Sequence, residues 1–358
     1  MKAFASIFNK VIVFQTWGIG DMVMAMSMLS ALRQKLPKSK ITLVAGSKAA
    51  ADIAEGFHVC DEIRVMTLNK MGMVHLTRWF YSIRKENFDA AILCTRLSFR
   101  IAQFLKIISG VKLIVGDSLS TRPWGYTYWR PVEGELHRVV SNLNILRLLF
   151  PEIKDSEQLT FYHEERSRIY ASRIWSDWKL NGHPVLGIHP GSDKKQKHRR
   201  LPVEKFVVLI HSFLRKFPEA RVLVFIGPHE NELIPFFHHL DERVLLLTNT
   251  SILQVSAVIE KTHAMVTTAT GLGHIGAALG VPSVALAGPT HDSSKPWASR
   301  VIRTEKDLQC MPCYDTPLYG HCPYRIECLQ SISETRIVDA LVTIFSNNQR
   351  IFNNEILK

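Results

Sequence analysis

Several features that define other protein classes are missing from this chain of 358 residues. It has no apolar run of the ~18 residues that a membrane-spanning helix needs, and its first residues, MKAFASIFNKVIVFQ, lack the core and cleavage site of a signal peptide. Low-complexity tracts and repeats of solenoid period are absent as well. No recognition-helix, zinc-finger or RNA-binding-sheet signature occurs, which argues against nucleic acid as a partner. We therefore expect a cytoplasmic globular protein whose N-terminal apolar run forms a first strand.

Acidic metal-binding motifs are also missing. No Asp-x-Asp sequence occurs anywhere in the chain, so the usual carboxylate pair that holds Mg²⁺ beside a phosphate is not available. If the protein binds a phosphorylated ligand, its own hydrogen-bond donors and cations must stabilise the phosphate charge. We expect no cofactor.

The overall charge is the most unusual property that is present. The net charge is +12, while the hydrophobic content of 46% and the charged content of 21% are ordinary for a globular protein. Such an excess of positive charge favours acidic partners, namely anionic lipid headgroups or phosphorylated small molecules. At roughly 150 residues per domain, the length predicts two domains, at 1–165 and 180–345, followed by a C-terminal tail at 346–358.

Short apolar runs alternate with helical patterns in both halves. The strands predicted in the first half lie at 11–14, 41–45, 62–65, 89–93 and 112–115, and those in the second half at 185–188, 221–226, 244–247, 264–266 and 281–286. Helical patterns separate them, which is typical of doubly wound parallel sheets. We therefore predict an α/β fold of two facing Rossmann-like domains with a cleft between them, since ligands bind at the carboxyl ends of such strands.

The stretch at 267–290, TTATGLGHIGAALGVPSVALAGPT, reads as a strand, a tight turn, a short helix and a second strand. A helix that begins in a tight turn presents free N–H groups to an anion. Gly271 and Gly273 would let phosphates approach the backbone, and His274 lies on the first helical turn. An ordinary strand–helix–strand crossover, with glycines that only permit close packing, explains the same pattern.

Other charged residues are predicted at the same kind of sheet edge. Asp21 follows the first strand and begins a helix, so it is either a functional carboxylate or a helix N-cap. The loop at 189–202 carries Lys194, Lys195, Lys197, Arg199 and Arg200, which suits either a diphosphate clamp or a solvated charge run. Glu230 follows a glycine–proline turn and could accept hydrogen bonds from ribose hydroxyls.

The segment at 121–130, TRPWGYTYWR, interrupts the alternation with two tryptophans and two tyrosines between arginines. It suits a sugar-stacking wall or a membrane-facing loop. A packed cluster at the domain edge is the alternative that we favour slightly.

Five motifs together resemble the heptosyltransferase family, the ADP-heptose glycosyltransferases of lipopolysaccharide core assembly. They are GIGDMVMA at 18–25, HPGS at 189–192, RRLP at 199–202, GPHE at 227–230 and TGLGHIGAALGVP with GPT at 270–290. The resemblance spans almost the whole chain in order. It implies a GT-B fold, metal-independent transfer and inversion at the anomeric carbon.

The resemblance also implies roles for individual residues. Asp21 matches the proposed general base, Ser192 and Arg199 match diphosphate-binding positions, and Glu230 matches the ribose contact. The donor phosphate turn is matched by Thr270, Gly271 and His274. One position departs from the family, which usually has Asp directly before the Thr/Ser-Gly pair, whereas this chain has Ala269.

The late cysteines read CMPCYDTPLYGHCPYRIEC, with Cys310, Cys313, Cys322 and Cys328 as members. Four thiols at this spacing suit either a thiolate metal site or reduced, packed side chains. The protein heptosyltransferases that modify autotransporters carry a four-cysteine iron site, which this cysteine cluster resembles.

The resemblance implies that heptose passes from ADP-heptose to a hydroxyl of the lipopolysaccharide core on lipid A. The basic surface would hold the enzyme peripherally on the cytoplasmic face of the inner membrane. Two other functions stay open: transfer of heptose to an autotransporter protein, and non-catalytic binding of a nucleotide-sugar or acidic lipid, which the absence of Asp at Ala269 leaves open.

Overall fold

The computed structural model describes residues 8–67, 72–121, 123–134, 136–154 and 161–355. The chain divides into two compact units, Met1–Tyr162 and His163–Lys358. None of the helices in the described ranges combines the length and apolarity that crossing a membrane requires.

The first unit is a six-stranded parallel sheet covered by helices. Its elements are β1 (Lys10–Gln15), α1 (Ile19–Lys35), β2 (Lys40–Ala45), α2 (Lys48–Glu55), β3 (Glu62–Val65), α3 (Met73–Arg84), β4 (Ala90–Leu93), α4 (Phe99–Phe104) with a π-helical continuation (Leu105–Ser109), β5 (Leu113–Ser118), β6 (Tyr128–Pro131) and α5 (Arg138–Arg147). The strands lie in the order β3-β2-β1-β4-β5-β6. The strand order therefore reverses between β1 and β4, where α/β sheets bind ligands at the carboxyl ends of their strands.

The second unit repeats this topology. Its elements are α6 (Glu165–Asp177), β7 (Val185–His189), a kinked 3₁₀ segment (Lys194–Arg199), α7 (Val203–Lys216), β8 (Arg221–Phe225), a 3₁₀ turn (Asn231–Leu233), α8 (Ile234–Phe237), β9 (Val244–Leu247), α9 (Ile252–Glu260), β10 (Ala264–Thr268), α10 (Gly271–Ala278), β11 (Ser283–Leu286), a 3₁₀ turn (Asp292–Ser294), β12 (Arg300–Ile302), α11 (Glu327–Gln330) and α12 (Glu334–Glu355). The strand order is β12-β11-β10-β7-β8-β9, all pairs being parallel. The equivalent reversal lies between β7 and β10.

The central strands are apolar on both faces because helices cover both sides of each sheet. Val11, Ile12, Val13 and Phe14 of β1 are buried, as are Ala264, Met265 and Val266 of β10. Helix starts are marked by local hydrogen bonds, for example at α9, where Ser251 and Gln254 form a reciprocal capping box. These strands and helices confirm the predicted α/β class.

The aromatic segment at 121–130 is partly a strand. Its last residues begin β6, which pairs only with β5 and is the edge of the first sheet, while Arg122 lies outside the described residues. The described residues between β5 and β6 form no helix, which is why the segment interrupts the alternation. The predicted tail at 346–358 overlaps α12, which runs to Glu355.

Candidate active site

The candidate donor site of the second unit lies where its strand order reverses. His189 is the last residue of β7 and pairs in register with Thr267 of β10. Thr270 follows β10 by two residues and is the N-cap of α10, whose first residue is Gly271. The backbone N–H of His274, which is buried, donates to the Thr270 carbonyl at 3.2 Å. The predicted strand, turn and helix are therefore present, with the start of α10 at the carboxyl edge.

A chain of buried polar side chains connects Glu230 to this turn. His189 Nε2 lies 3.3 Å from Glu230 Oε2, and His189 Nδ1 lies 3.0 Å from Thr270 Oγ1. Thr270 Oγ1 in turn lies 2.9 Å from Thr267 Oγ1. All four side chains are buried, so each contact is costly to leave unmade. His189, at the end of β7, therefore connects the loops that follow β8 and β10.

Glu230 is held as a carboxylate. Burial opposes its ionisation, but the hydrogen bond and electrostatic interaction with His189, the hydrogen bond from the Gly227 N–H and the charge of Arg200 outweigh burial, so the pKa of Glu230 lies below its ordinary value. The Gly227 N–H donates to Glu230 Oε2 at 2.7 Å. A Cβ on Gly191 would lie 1.9 Å from Glu230 Oε1, so only glycine fits beside this carboxylate.

The basic loop is anchored to the turn by two arginines. Arg199 donates to the carbonyl of Ala269, and its Nη1 donates to Gln196 Oε1 at 2.6 Å. Arg200 is buried and donates to Ser192 Oγ and Ser192 O, at 3.0 Å each. Ser192 Oγ also donates to the Gln196 carbonyl at 3.0 Å. The Ser192 hydroxyl therefore holds the loop together, whereas Arg199 lies directly beside the predicted phosphate turn.

Part of the charge of this loop is balanced inside the unit. Lys197 Nζ lies 2.8 Å from Glu232 Oε1, and Arg200 Nη1 lies 2.9 Å from the same oxygen. The charge run is thus more than a solvated loop, since Glu232 and Ser192 fix its shape.

The two glycines of the predicted phosphate turn differ. A Cβ on Gly273 would lie 2.5 Å from Thr267 Cγ2, so this buried glycine is needed for close packing of α10 on β10. The approach of a phosphate to Gly273 stays a prediction. Gly271 is only half-buried and stays the candidate for phosphate contact.

The candidate base of the first unit lies in the first turn of α1. Gly18 is the N-cap of this helix, so the alternative that Asp21 is the N-cap is wrong. The Asp21 carboxylate forms an ion pair with Arg138, the first residue of α5, and is partly exposed. Gln15 Nε2 donates to the Asp21 carbonyl at 3.3 Å and its Oε1 accepts from the Trp17 N–H at 3.2 Å, which shapes the turn.

A second carboxylate on this edge was not predicted from the sequence. Asp117, at the end of β5, is buried, accepts from Thr95 Oγ1 and accepts from the Arg96 N–H at 2.8 Å. Burial raises the pKa of Asp117 above its ordinary value, although these hydrogen bonds oppose the shift. Asn142 Oδ1 accepts from the Thr95 N–H at 2.9 Å. Together these contacts hold Arg96 at a φ of 64°, a left-handed conformation that a side chain rarely adopts without support.

The late cysteines share one small cavity. Cys310, Cys313, Cys322 and Cys328 all line a space of about 20 Å³, together with apolar side chains such as Met311. Burial raises the pKa of the Cys328 thiol to about 11 and also raises that of Cys313. Among the residues that the structure describes, no three His, Cys, Asp or Glu side chains are arranged to hold a metal ion. As placed, the four thiols do not fit a metal centre.

Comparison with known sequences gives one family. The sequence pattern of glycosyltransferase family 9 (heptosyltransferase) matches residues 76–319, more than half of the chain. Curated protein sequences give no significant match.

Solved structures share the fold at low sequence identity. Glycosyl transferase family 9 from Veillonella parvula is similar with a TM-score of 0.78 and 21% identity, over 95% of this chain and 98% of that one. E. coli ADP-heptose lipopolysaccharide heptosyltransferase II matches with a TM-score of 0.69 and 19% identity, over 95% and 99%. The iron-containing dodecameric glycosyltransferase TibC from enterotoxigenic E. coli matches with a TM-score of 0.57 and 13% identity, over 95% and 76%. These likenesses confirm the predicted GT-B class of the fold.

Proposed function

We propose, from the premise that this chain belongs to glycosyltransferase family 9, the heptosyltransferase family, that it moves heptose from ADP-heptose to a hydroxyl of the lipopolysaccharide core. The observation that carries the proposal is the buried chain from Glu230 through His189 to Thr270, which ends at the start of α10. This buried network connects Glu230, which would accept hydrogen bonds from the ribose hydroxyls, to Thr270 at the helix terminus that would bind the diphosphate.

The donor would lie along this network. The diphosphate would accept hydrogen bonds from N–H groups at the start of α10, at Gly271, where the helix dipole favours negative charge. Arg199, tied to the Ala269 carbonyl beside that turn, would supply a guanidinium to the same group. Glu230 would receive the ribose hydroxyls. A solved structure of E. coli WaaC, which shares this fold at 16% identity, contains ADP, and we transfer that donor class to this chain as part of the proposal.

The reaction would be a single displacement. Asp21 takes the proton of the acceptor hydroxyl while that oxygen forms a bond to the anomeric carbon. The bond from that carbon to the diphosphate breaks, and ADP leaves with the electron pair. Attack from the side opposite the leaving group inverts the anomeric centre. Arg199 and the Gly271 turn stabilise the charge that develops on the leaving oxygen.

The identity of the acceptor has a second candidate. TibC, an iron-containing heptosyltransferase solved in complex with ADP-D-beta-D-heptose, shares the fold at 12% identity. This likeness supports a protein hydroxyl as the alternative acceptor. Because the described residues form no metal ligand set, no step of the proposed reaction passes through a metal.

The proposal is tested by comparing donors. We expect ADP-heptose to raise the melting temperature of the protein and to be hydrolysed or transferred, because Glu230 and the α10 turn recognise the nucleotide and diphosphate. ADP-glucose and UDP-sugars carry the same ribose and diphosphate, so they should also stabilise the protein, but transfer from them should be slower than from ADP-heptose. Preference for a UDP-sugar would contradict the proposed donor. Transfer to lipopolysaccharide core and to an autotransporter passenger protein, measured side by side, separates the two acceptors.

Removal of divalent metal should leave transfer intact. The chain has no Asp-x-Asp sequence, and the leaving diphosphate would be met by Arg199 and backbone N–H groups. We expect the initial rate of transfer to be the same with EDTA as with Mg²⁺. A rate that falls in EDTA and returns with Mg²⁺ would show that the protein donors are not sufficient.

A further inference from the structure

Helix α3 and helix α4 form one continuous face of the first unit. The rings of Phe80 on α3 and Phe104 on α4 stack with centroids 5.1 Å apart. The Ser109 hydroxyl, at the end of the π-helical continuation, donates to the Phe80 carbonyl at 2.7 Å. Phe80 and Ile83 are buried and attach α3 to the unit. The inward side chains of α3 therefore attach the helix to the unit. The side chains on its outer side take no part in these contacts.

The outer side of this face carries several exposed apolar side chains. The exposed fractions are 64% for Val74 and 55% for Tyr81 on α3, and 61% for Ile107 after α4. Val74, Arg78, Tyr81 and Lys85 are spaced by four, three and four residues, which places them along one stripe of α3. Large exposed apolar side chains gathered on one face mark an interaction surface.

An exposed tryptophan lies beside the same helices. Gly125 packs so closely on α4 that a Cβ there would lie 2.9 Å from both the Ala102 carbonyl carbon and the Gln103 nitrogen. Trp124, the preceding residue, is 59% exposed. Trp124 therefore extends the apolar surface next to α4, where Phe99 is also exposed.

The charge of this face has one sign. Within residues 63–116 the only acidic residues are Glu86 and Asp89. Glu86 forms a two-oxygen ion pair with Arg64, at 2.6 and 2.7 Å, and Asp89 accepts from the backbone N–H groups of Asn9 and Lys10, at 2.7 and 2.9 Å. The exposed basic residues on the two helices and directly after them are Arg78, Arg84, Lys85, Arg100 and Lys106. Neither helix carries an acidic residue.

We propose that this surface, the α3–α4 face formed by Val74, Tyr81, Phe99, Ile107 and Trp124 with the basic residues around them, docks onto an anionic phospholipid bilayer. Exposed aliphatic side chains enter the acyl boundary, Trp and Tyr prefer the headgroup level, and Lys and Arg bind anionic headgroups. A second copy of the chain is a poor occupant because two such faces would repel each other. The inference deepens the proposed function, since it would bring the enzyme to a lipid-linked acceptor, but vesicle binding needs neither donor nor acceptor.

The test is co-flotation of the full chain with vesicles. We expect binding to phosphatidylcholine vesicles that contain phosphatidylglycerol, weakening with salt, and little binding to phosphatidylcholine alone. Each cation at the surface contributes about fivefold to partitioning. The triple variant Arg78→Gln/Arg84→Gln/Lys106→Gln should therefore lose about 100-fold in the partition coefficient.

A matched control removes the same charge elsewhere. Arg166, Arg168 and Arg173 on α6 are exposed and each pairs with an acidic neighbour. Their replacement by Gln should leave vesicle binding nearly unchanged. Equal losses in the two triple variants would mean that net charge alone drives binding, which overturns the proposed face.

The apolar part is tested separately with Tyr81→Ser/Trp124→Ser, which keeps every charge. We expect a folded protein, with an unchanged circular-dichroism spectrum, whose residual binding disappears at high salt. If the wild type instead self-associates in sedimentation and this variant abolishes that, the face is an interface between copies and the proposal fails. ADP release from ADP-heptose should be the same in all variants, so failure of docking is distinguishable from failure of the proposed function.

Discussion

Replacing Asp21 by Asn should lower turnover by at least about 100-fold, because an amide cannot take the proton of the attacking hydroxyl. The change is nearly isosteric, and α1 keeps its N-cap because that position belongs to Gly18. ADP binding, assigned to the second unit, should be almost unaffected. The measurement is kcat with saturating donor and acceptor, alongside the dissociation constant of ADP.

The ion pair with Arg138 complicates a simple interpretation of this variant. Asp21→Asn removes a proton acceptor and also one partner of a half-buried pair, so a loss of activity could reflect a displaced Arg138. Arg138→Gln is the matched control, because it breaks the same ion pair but leaves the Asp21 carboxylate intact. We expect kcat of this control to equal that of the wild type. If Asp21→Asn retains full turnover, the carboxylate only holds Arg138 and the base lies elsewhere.

The alternation of strands and helices could be predicted because burial on both sides leaves each central strand as a short apolar run. The helical patterns between the strands are confirmed as well, for example by α7, which begins directly after Pro202 and is strongly amphipathic. The edge strands β6 and β12 were missed. Three of the four residues of β6 are exposed, and β12 is three residues long, so neither shows the apolar run by which the central strands were found.

The candidate site was predictable only where its residues form local patterns. The turn at Thr270 and Gly271 stands out because small residues cluster after an apolar strand. His189, which contacts both Glu230 and Thr270, belongs to the noted HPGS motif, yet its bridging position depends on residues 41 and 81 positions away. Arg138 lies 117 positions from Asp21. Such pairings arise from the fold, and no spacing along the chain indicates them.

Ser192 was singled out by the sequence, but the structure shows a different contact. The family resemblance implies a diphosphate contact, whereas the Ser192 hydroxyl lies between Arg200 and the Gln196 carbonyl. A role in shaping the basic loop explains both the residue and its burial. Its contact with a donor stays a prediction.

The second large effect is expected at Ala269, where the resemblance to the heptosyltransferases implies an Asp. Ala269 is buried, its carbonyl accepts from Arg199, and it directly precedes Thr270. A carboxylate at this position would lie beside a guanidinium and the start of α10, both of which stabilise negative charge. The loss of one hydrogen bond to a charged group costs about 1.5–3 kcal/mol, or about 10- to 100-fold in affinity.

We therefore expect Ala269→Asp to tighten ADP-heptose binding or raise its transfer rate by up to about 100-fold. Ala269→Asn is the matched control, because it has the same size without the charge, and it should recover only part of the gain. If the wild type binds no nucleotide-sugar and Ala269→Asp restores binding, the chain is a decayed member of its family. If Ala269→Asp instead abolishes activity in a protein that still folds, the donor pocket has a different arrangement, which does not accommodate a carboxylate at this position. Heptose would then be the wrong sugar, since a buried charge beside Thr270 is tolerated only where the donor or Arg199 can pair with it.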